Sequence, residues 1–285
     1  MLNAVATGQA AFSFSFIEEA HLNIVVCIKQ TPDTAAKVEV KDGHVTWGDS
    51  PLVVNPWDEF AVEEAIRLKE KHGGKVIAIS LGPETAREAL KQAVAMGSDE
   101  AYLVSDPVLK GSDVLATSRA LAKAIGKIDG VDLVLFGKQA IDGDTGQTAI
   151  ATARRLGWSP LTYVAKIAEI DPAARTIKVE RLLEEGRQTV TSKLPAVISV
   201  VKEINEPRYP SFMGIRKASK LAIPIWSAAD IGVEAGQVGL AGSGVAWPEI
   251  MPLPAREAVC EFVEGASPAE VAAKLADKLA AEKVV

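Results

Sequence analysis

Three short apolar runs constrain this chain more than anything else in it: LNIVVCIK (22–29), KVIAISLG (75–82) and VDLVLFG (131–137). A strand with apolar residues on both faces needs cover on both, which is the condition of a parallel sheet between helical layers. The stretches between them have helical spacing. Asn55 suits an N-cap, Pro56 the first helical position and Asp58 the positive end of the dipole. Val62, Ala65, Ile66 and Leu68 then make an apolar stripe. Further helices are expected over Pro83–Met96, ended by Gly97, and from about Ser112 to Ile125, with a short strand at Ala101–Val104 between them. The order predicts an α/β fold built on a doubly wound, mostly parallel sheet.

After residue 160 the rhythm changes. LTYVAKIAEI, RTIKVERLL, RQTVTSKL and PAVISVVK read as consecutive strands, added in part antiparallel to the same sheet. The 204–220 segment, INEPRYPSFMGIRKASK, holds too many prolines and glycines for a regular element, and the Gly/Pro/Ala-rich stretch that follows resembles an extended arm. A last helix is announced by Ser267-Pro268-Ala269-Glu270, a capping box, with Val271, Leu275 and Leu279 on one stripe. The expected organisation is a tail at 1–21, an α/β domain at 22–225, and a C-terminal arm and helix at 226–285.

Among 285 residues, 48% are apolar, enough for a sizeable core, and the net charge of −6 speaks against nucleic acid as a partner. No run is long enough to cross a bilayer. The opening MLNAVATGQAAFSFSFIEEAH lacks a basic lead and is read as a tail, not a secretory signal. Cys27 and Cys260, the two cysteines, cannot make a disulfide framework or a zinc site, so a cytoplasmic setting is expected.

The loop after VDLVLFG is the informative one. Ligands of open parallel sheets bind beyond the carboxyl ends of strands, where a following helix offers unpaired amides to an anion. Yet this loop carries two carboxylates, each repelling a phosphate by about 1 kcal/mol even at water-like dielectric. Asp144 with Gln147 reads as a capping box; Asp142 is open either to a ribose hydroxyl or to the loop's own amides. Gly137, Gly143 and Gly146 permit close approach or positive φ, and Lys138 balances charge. The D-x-D-x-T phosphatase signature fails at Gly146, and no third carboxylate stands nearby to complete a magnesium site. GxGxxG, GxxxxGK[ST], GxSxG and HExxH are all absent from the sequence. His21, His44 and His72 lie in tail, turn and helix-end contexts. A binding or carrier protein is favoured over an enzyme.

Four stretches then stand together: VCIKQTPDT, NPWDEFAVEEAIRLKEKHGG, FGKQAIDGDTGQT and NEPRYPSFMGIRKASK. In this order, over about residues 22–225, they resemble the beta subunit of electron transfer flavoprotein. The resemblance implies a heterodimer with an alpha subunit whose FAD shuttles electrons from dehydrogenases to a respiratory-chain or other acceptor oxidoreductase, with no catalytic residues in beta. It implies AMP in the beta subunit, in a pocket made by Cys27, Asn55, Pro56, Trp57, Asp58 and Leu81. The loop Gly137, Lys138, Gln139, Ala140, Ile141, Asp142, Gly143, Asp144, Thr145, Gly146, Gln147 and Thr148 would complete it. Trp57 could also lean on the flavin. Phe212 takes the place of the family's docking anchor, with Arg216 and Lys217, and with Arg208 and Lys220 nearby, steering a dehydrogenase.

Two features depart from the plainest members. Asp142-Gly143-Asp144 replaces three successive aspartates, and Gln147-Thr148-Ala149-Ile150 replaces QTGQ. DGDT and KQTPDT look more like electron-bifurcating relatives, in which a second FAD replaces AMP and NADH oxidation would occur there, whereas NPWDEFAVEEA is closer to the AMP type. Alternatives from other classes are an adenylyl-transfer or metal-dependent phosphate enzyme, and a homodimeric stress-type nucleotide-binding module. The first lacks a phosphate-gripping motif; the second has no need of the 204–220 segment.

Overall fold

The structure, a computed structural model, describes residues 21–252, 254 and 259–284; all of the tail expected at 1–21 except His21 lies outside them. Its elements run β1 (Leu22–Cys27), β2 (Gln30–Pro32), β3 (Glu39–Lys41), β4 (His44–Thr46), β5 (Leu52–Val54), α1 (Pro56–His72), β6 (Gly74–Leu81), α2 (Arg87–Met96), β7 (Glu100–Val104), α3 (Val114–Ile125), β8 (Leu133–Gly137) and α4 (Thr148–Leu156). Then follow β9 (Ser159–Asp171), β10 (Thr176–Leu183), β11 (Gly186–Lys193), β12 (Ala196–Val200), α5 (Phe212–Lys220), β13 (Ile225–Trp226), α6 (Gly239–Gly242) and α7 (Pro268–Ala281).

Nine strands form one sheet in the order β11-β10-β9-β12-β8-β1-β6-β7-β13. The strands from β9 to β13 in that order are mutually parallel, and β10 and β11 extend it by antiparallel pairing. The mostly parallel, doubly wound sheet with antiparallel additions is therefore as expected. Strand alternation divides the core. Leu22, Ile24 and Val26 face α1 and α2 with Ala61, Val62, Leu90 and Val94; Val25, Cys27, Ile77 and Ile79 face the side of Ala120, Ala124, Ala149 and Ala153. Each fully buried isoleucine or leucine there contributes roughly 1.5–3 kcal/mol of transfer free energy. The chain winds outward from β1 through β6 to β7, then returns to place β8 on the other side of β1. That reversal makes the gap between the carboxyl ends of β1 and β8 the switch point, where such sheets take ligands.

The expected helix over 83–96 is divided: a 3-10 turn at Glu84–Ala86 precedes α2. The larger correction is at 204–220, expected to be irregular. Its prolines lie at 207 and 210, before the helix, and Ser211 caps α5 by accepting from the amide of Gly214 at 2.9 Å. Gly214 is not a breaker here. A Cβ at that position would stand 2.0 Å from the Ala95 carbonyl oxygen, so glycine is what lets α5 lie against α2.

Two compact units emerge, one running to Pro248 and a second made of residues 40–45 with those from Glu249 onward. In the second, Ser267 caps α7 by accepting from Glu270 N at 3.3 Å, and Glu270 accepts in return from Ala266 N at 2.9 Å. No helix among the described residues is long and apolar enough to cross a membrane.

Candidate functional site

Asp58 ties the switch point together. It is the third residue of α1, and its carboxylate turns inward, accepting from the amide of Lys29 at 2.8 Å after β1 and from the amide of Gly137 at 3.1 Å at the end of β8. One side chain thus spans two strand ends and a helix start. Burial pushes its carboxyl up to about 7, against the pull of those amides and of Asn55. Gly137 must be glycine for this contact, since a Cβ would lie 2.5 Å from Asp58 Oδ1 and from the Trp57 carbonyl carbon.

Asn55 occupies the cap position of α1 but does not cap it with its side chain. The amide instead donates to the Gln139 carbonyl at 2.9 Å and accepts from Ile141 N at 3.1 Å, clamping the loop after β8 to α1. The backbone takes part too, with Asn55 N donating to the Lys29 carbonyl at 2.9 Å. The N-cap expected of this side chain is overruled because the side chain instead satisfies two half-buried backbone groups of the loop.

The two loop aspartates both find partners within the protein, a cation for Asp142 and an uncharged amide for Asp144. Lys29 Nζ meets both oxygens of Asp142 at 2.7 Å, and the side chain of Gln139 donates to Asp144. The capping box at Asp144 is overturned: Asp144 has a left-handed φ of 54°, and α4 begins four residues later, at Thr148. The cap position of α4 falls to Gln147, whose side chain makes no capping hydrogen bond. The start of this helix is thereby left for an outside acceptor.

Of the other sequence candidates, Cys27 is buried in β1 with its thiol held well above the ordinary range, by burial first and by Asp58 second. Leu81 ends β6, and Pro56 and Trp57 open α1. Ala140, Gly143, Thr145 and Gly146 line the exposed or half-exposed course of the loop. Sequence reasoning missed Lys29, although it closes the quoted VCIK run, because nothing local pairs it with a residue 113 positions away. It missed Tyr163 as well. This residue of β9 holds a left-handed φ of 56°, and its ring lies 5.7 Å from Lys138 Nζ, whose other aromatic neighbour is Trp57 at 5.3 Å. A non-glycine residue in that conformation costs about 1 kcal/mol or more.

Far along α1, a second constellation fixes the expected docking segment. Phe212 is the first residue of α5 and 79% exposed, beside the exposed Tyr209, Met213 and Ile215. Arg208 was expected among the steering charges, but it is bound to Glu63 and Glu70 at 2.8 and 2.6 Å. Lys217 donates to the Ser98 carbonyl at 3.0 Å. No group of three or more His, Cys, Asp or Glu placed to hold a metal occurs among the described residues.

A family model described as "Electron transfer flavoprotein domain" matches residues 48–231. Among curated proteins, the electron transfer flavoprotein subunit beta of Thermoanaerobacterium thermosaccharolyticum is 44% identical over 230 residues, covering 78% of this chain and 85% of that one. Protein FixA of Azorhizobium caulinodans is 43% identical over 228 residues, covering 78% and 81%. The Caffeyl-CoA reductase-Etf complex subunit CarD of Acetobacterium woodii is 40% identical over 266 residues, covering 93% of this chain and all of that one.

Proposed function

The chain belongs to the electron transfer flavoprotein family, and we propose that it is the beta subunit of a heterodimer whose FAD, held mostly by an alpha subunit, carries electrons from a dehydrogenase to a redox acceptor. In this reading the chain has no catalytic residue of its own. It buries a nucleotide at the β1/β8 switch point and presents a docking tip at α5, and it works in the cytoplasm. Residues from Glu249 onward serve as the arm that packs on the alpha subunit; residues 226–248, expected in that arm, belong instead with the sheet, through the pairing of Trp226 and the burial of Ala228, Ile231 and Val238.

The observation that carries the reading is the uncapped start of α4 beside a loop clamped by Asn55 and Asp58. The donor set suits a nucleotide: main-chain groups of residues 137–148 for phosphate and sugar, with the charge of Asp142 offset by Lys29 and Asp144 turned to the Gln139 amide. When bound, the flavin supplies the electron-accepting chemistry; this chain's residues bind, orient and shield. AMP is the favoured occupant. A second FAD, as in a bifurcating complex, is the other reading, favoured by Gly143, around whose Cβ position 4 Å of space stands open for a larger ligand.

The test is co-expression with an alpha-type partner, then denaturation and chromatography of the released cofactors. One FAD with one AMP supports simple transfer; two FADs support bifurcation. A colourless complex without nucleotide overturns the proposal.

A further inference from the structure

We infer that Tyr163 is a positioning residue of the nucleotide site: with Trp57 it holds the Lys138 ammonium at the switch point as the cation that meets the nucleotide's phosphate. The inference rests on the proposed nucleotide reading. It begins from a strained residue. Tyr163 lies on β9, outside the loops that make the site in sequence, and keeps a left-handed φ of 56°. The pairing of β9 with β12 is irregular there, shifting register between Ile198 and Val200, and the amide of Tyr163 meets Ser199 Oγ at 3.4 Å. Such a conformation persists only where the surroundings hold it, and a bulge at a strand's end re-aims a side chain.

The register shows where it is aimed. Val164, next to Tyr163, aligns with Val200 of β12, which aligns with Gly137 of β8, so Tyr163 stands in the carboxyl-end row immediately before the loop. Its ring and that of Trp57 lie 5.7 and 5.3 Å from Lys138 Nζ. Of the two lysines at this rim, Lys29 is spent on Asp142. Lys138 makes no ion pair with a carboxylate among the described residues. Ring faces restrict an ammonium without cancelling its charge, unlike a carboxylate. Trp57 is also the second residue of α1, so the positive end of that helix and the held ammonium share one corner. A confined, uncancelled cation beside a helix start is suited to a phosphate group, in AMP or in a dinucleotide alike.

The experiment compares AMP with adenosine, which differ by that phosphate, in calorimetric titrations of the full-length chain freed of nucleotide. Wild type is expected to favour AMP. Tyr163→Ala and Tyr163→Gly should weaken AMP roughly tenfold while leaving adenosine unchanged. Tyr163→Phe should retain the preference. Glycine tolerates the left-handed φ, so the Gly variant keeps its thermal midpoint and separates the ring's role from folding. Lys138→Met should lose the same preference, and adding Tyr163→Ala to it should lose nothing more. A wild-type preference in Tyr163→Gly, or independent losses in the double variant, overturns the positioning role. A wild type that binds neither compound overturns the nucleotide reading itself.

Discussion

Arg208 grips the buried carboxylate of Glu63, Nε to Oε2 at 2.8 Å and Nη2 to Oε1 at 3.2 Å, on a side chain only 2% exposed. The same guanidinium reaches Glu70 about two turns further along α1, and Arg67 adds a bond to Glu63 at 2.6 Å. Asn205 joins in by donating to the Phe60 carbonyl at 3.0 Å. The segment that leads into α5 is therefore strapped to α1 by charge-assisted bonds rather than by apolar packing alone. Arg208→Ala leaves Glu63 with Arg67 as its only guanidinium partner, and a loss of about 3 kcal/mol is expected in urea unfolding. Hydrogen exchange should quicken at residues 204–220 before it does in β1.

The buried carboxyls of α1 titrate in opposite directions. Burial works to raise Glu63, but hydrogen bonds from Arg208 and Arg67 outweigh it and hold it below the ordinary range. Its contribution is present above the unfolded pKa and is lost as pH falls through the folded one. Asp58 is the reverse, raised by burial to about 7 from 3.8. Between these values the folded chain keeps a proton that the unfolded chain has released, so stability falls as pH rises across the window, by at most about 1.4 kcal/mol per unit. Asp58→Asn should flatten that slope, and Glu63→Gln should remove the acid-side loss. Stability profiles from about pH 2 to 8 for the three proteins check both; identical slopes in wild type and Asp58→Asn would contradict the assignment.

Gly137→Ala drives a methyl into the Trp57 backbone and into Asp58 Oδ1. Neither can yield without opening the junction of β8 with α1, so a cost of about 1–3 kcal/mol is expected, together with weaker nucleotide retention. Gly143→Ala, whose added methyl meets nothing within 4 Å, is the control for stability: thermal unfolding should leave it at the wild-type midpoint while Gly137→Ala falls, and nucleotide analysis after purification reads the loss in Gly137→Ala.

Phe212→Asp should abolish reduction by the cognate dehydrogenase while flavin content and thermal midpoint stay as in wild type. The side chain is 79% exposed at the start of α5, so folding does not depend on it, whereas an apolar anchor entering a partner's pocket does. Rapid-mixing measurement of flavin reduction reads this directly, and equal rates would end the docking role.

Much of the scaffold could be read in advance because it depends on local periodicity. The runs at 22–29, 75–82 and 131–137 became β1, β6 and β8, and the late strands joined the same sheet. Where reading failed, a distant partner had outbid a local one. Asn55 and Asp144 each had a plausible cap nearby, but the loop after β8 supplied groups with greater need of them. The 204–220 segment looked irregular since its glycine was weighed as a helix breaker, when the Ala95 carbonyl lying against it made glycine the fitting residue.

By itself the sequence determined the alternation of strands and helices and the family, and it singled out the loop proposed to hold a nucleotide, because hydrophobic spacing and contiguous motifs are properties of neighbours along the chain. Only the tertiary structure decided which charges are spent and which remain: Lys29 on Asp142 across 113 positions, Arg208 on Glu63 across 145, and Lys138 left between two rings. Electrostatic pairing is set by distance in space and by what is buried, and neither is written in the local order of residues.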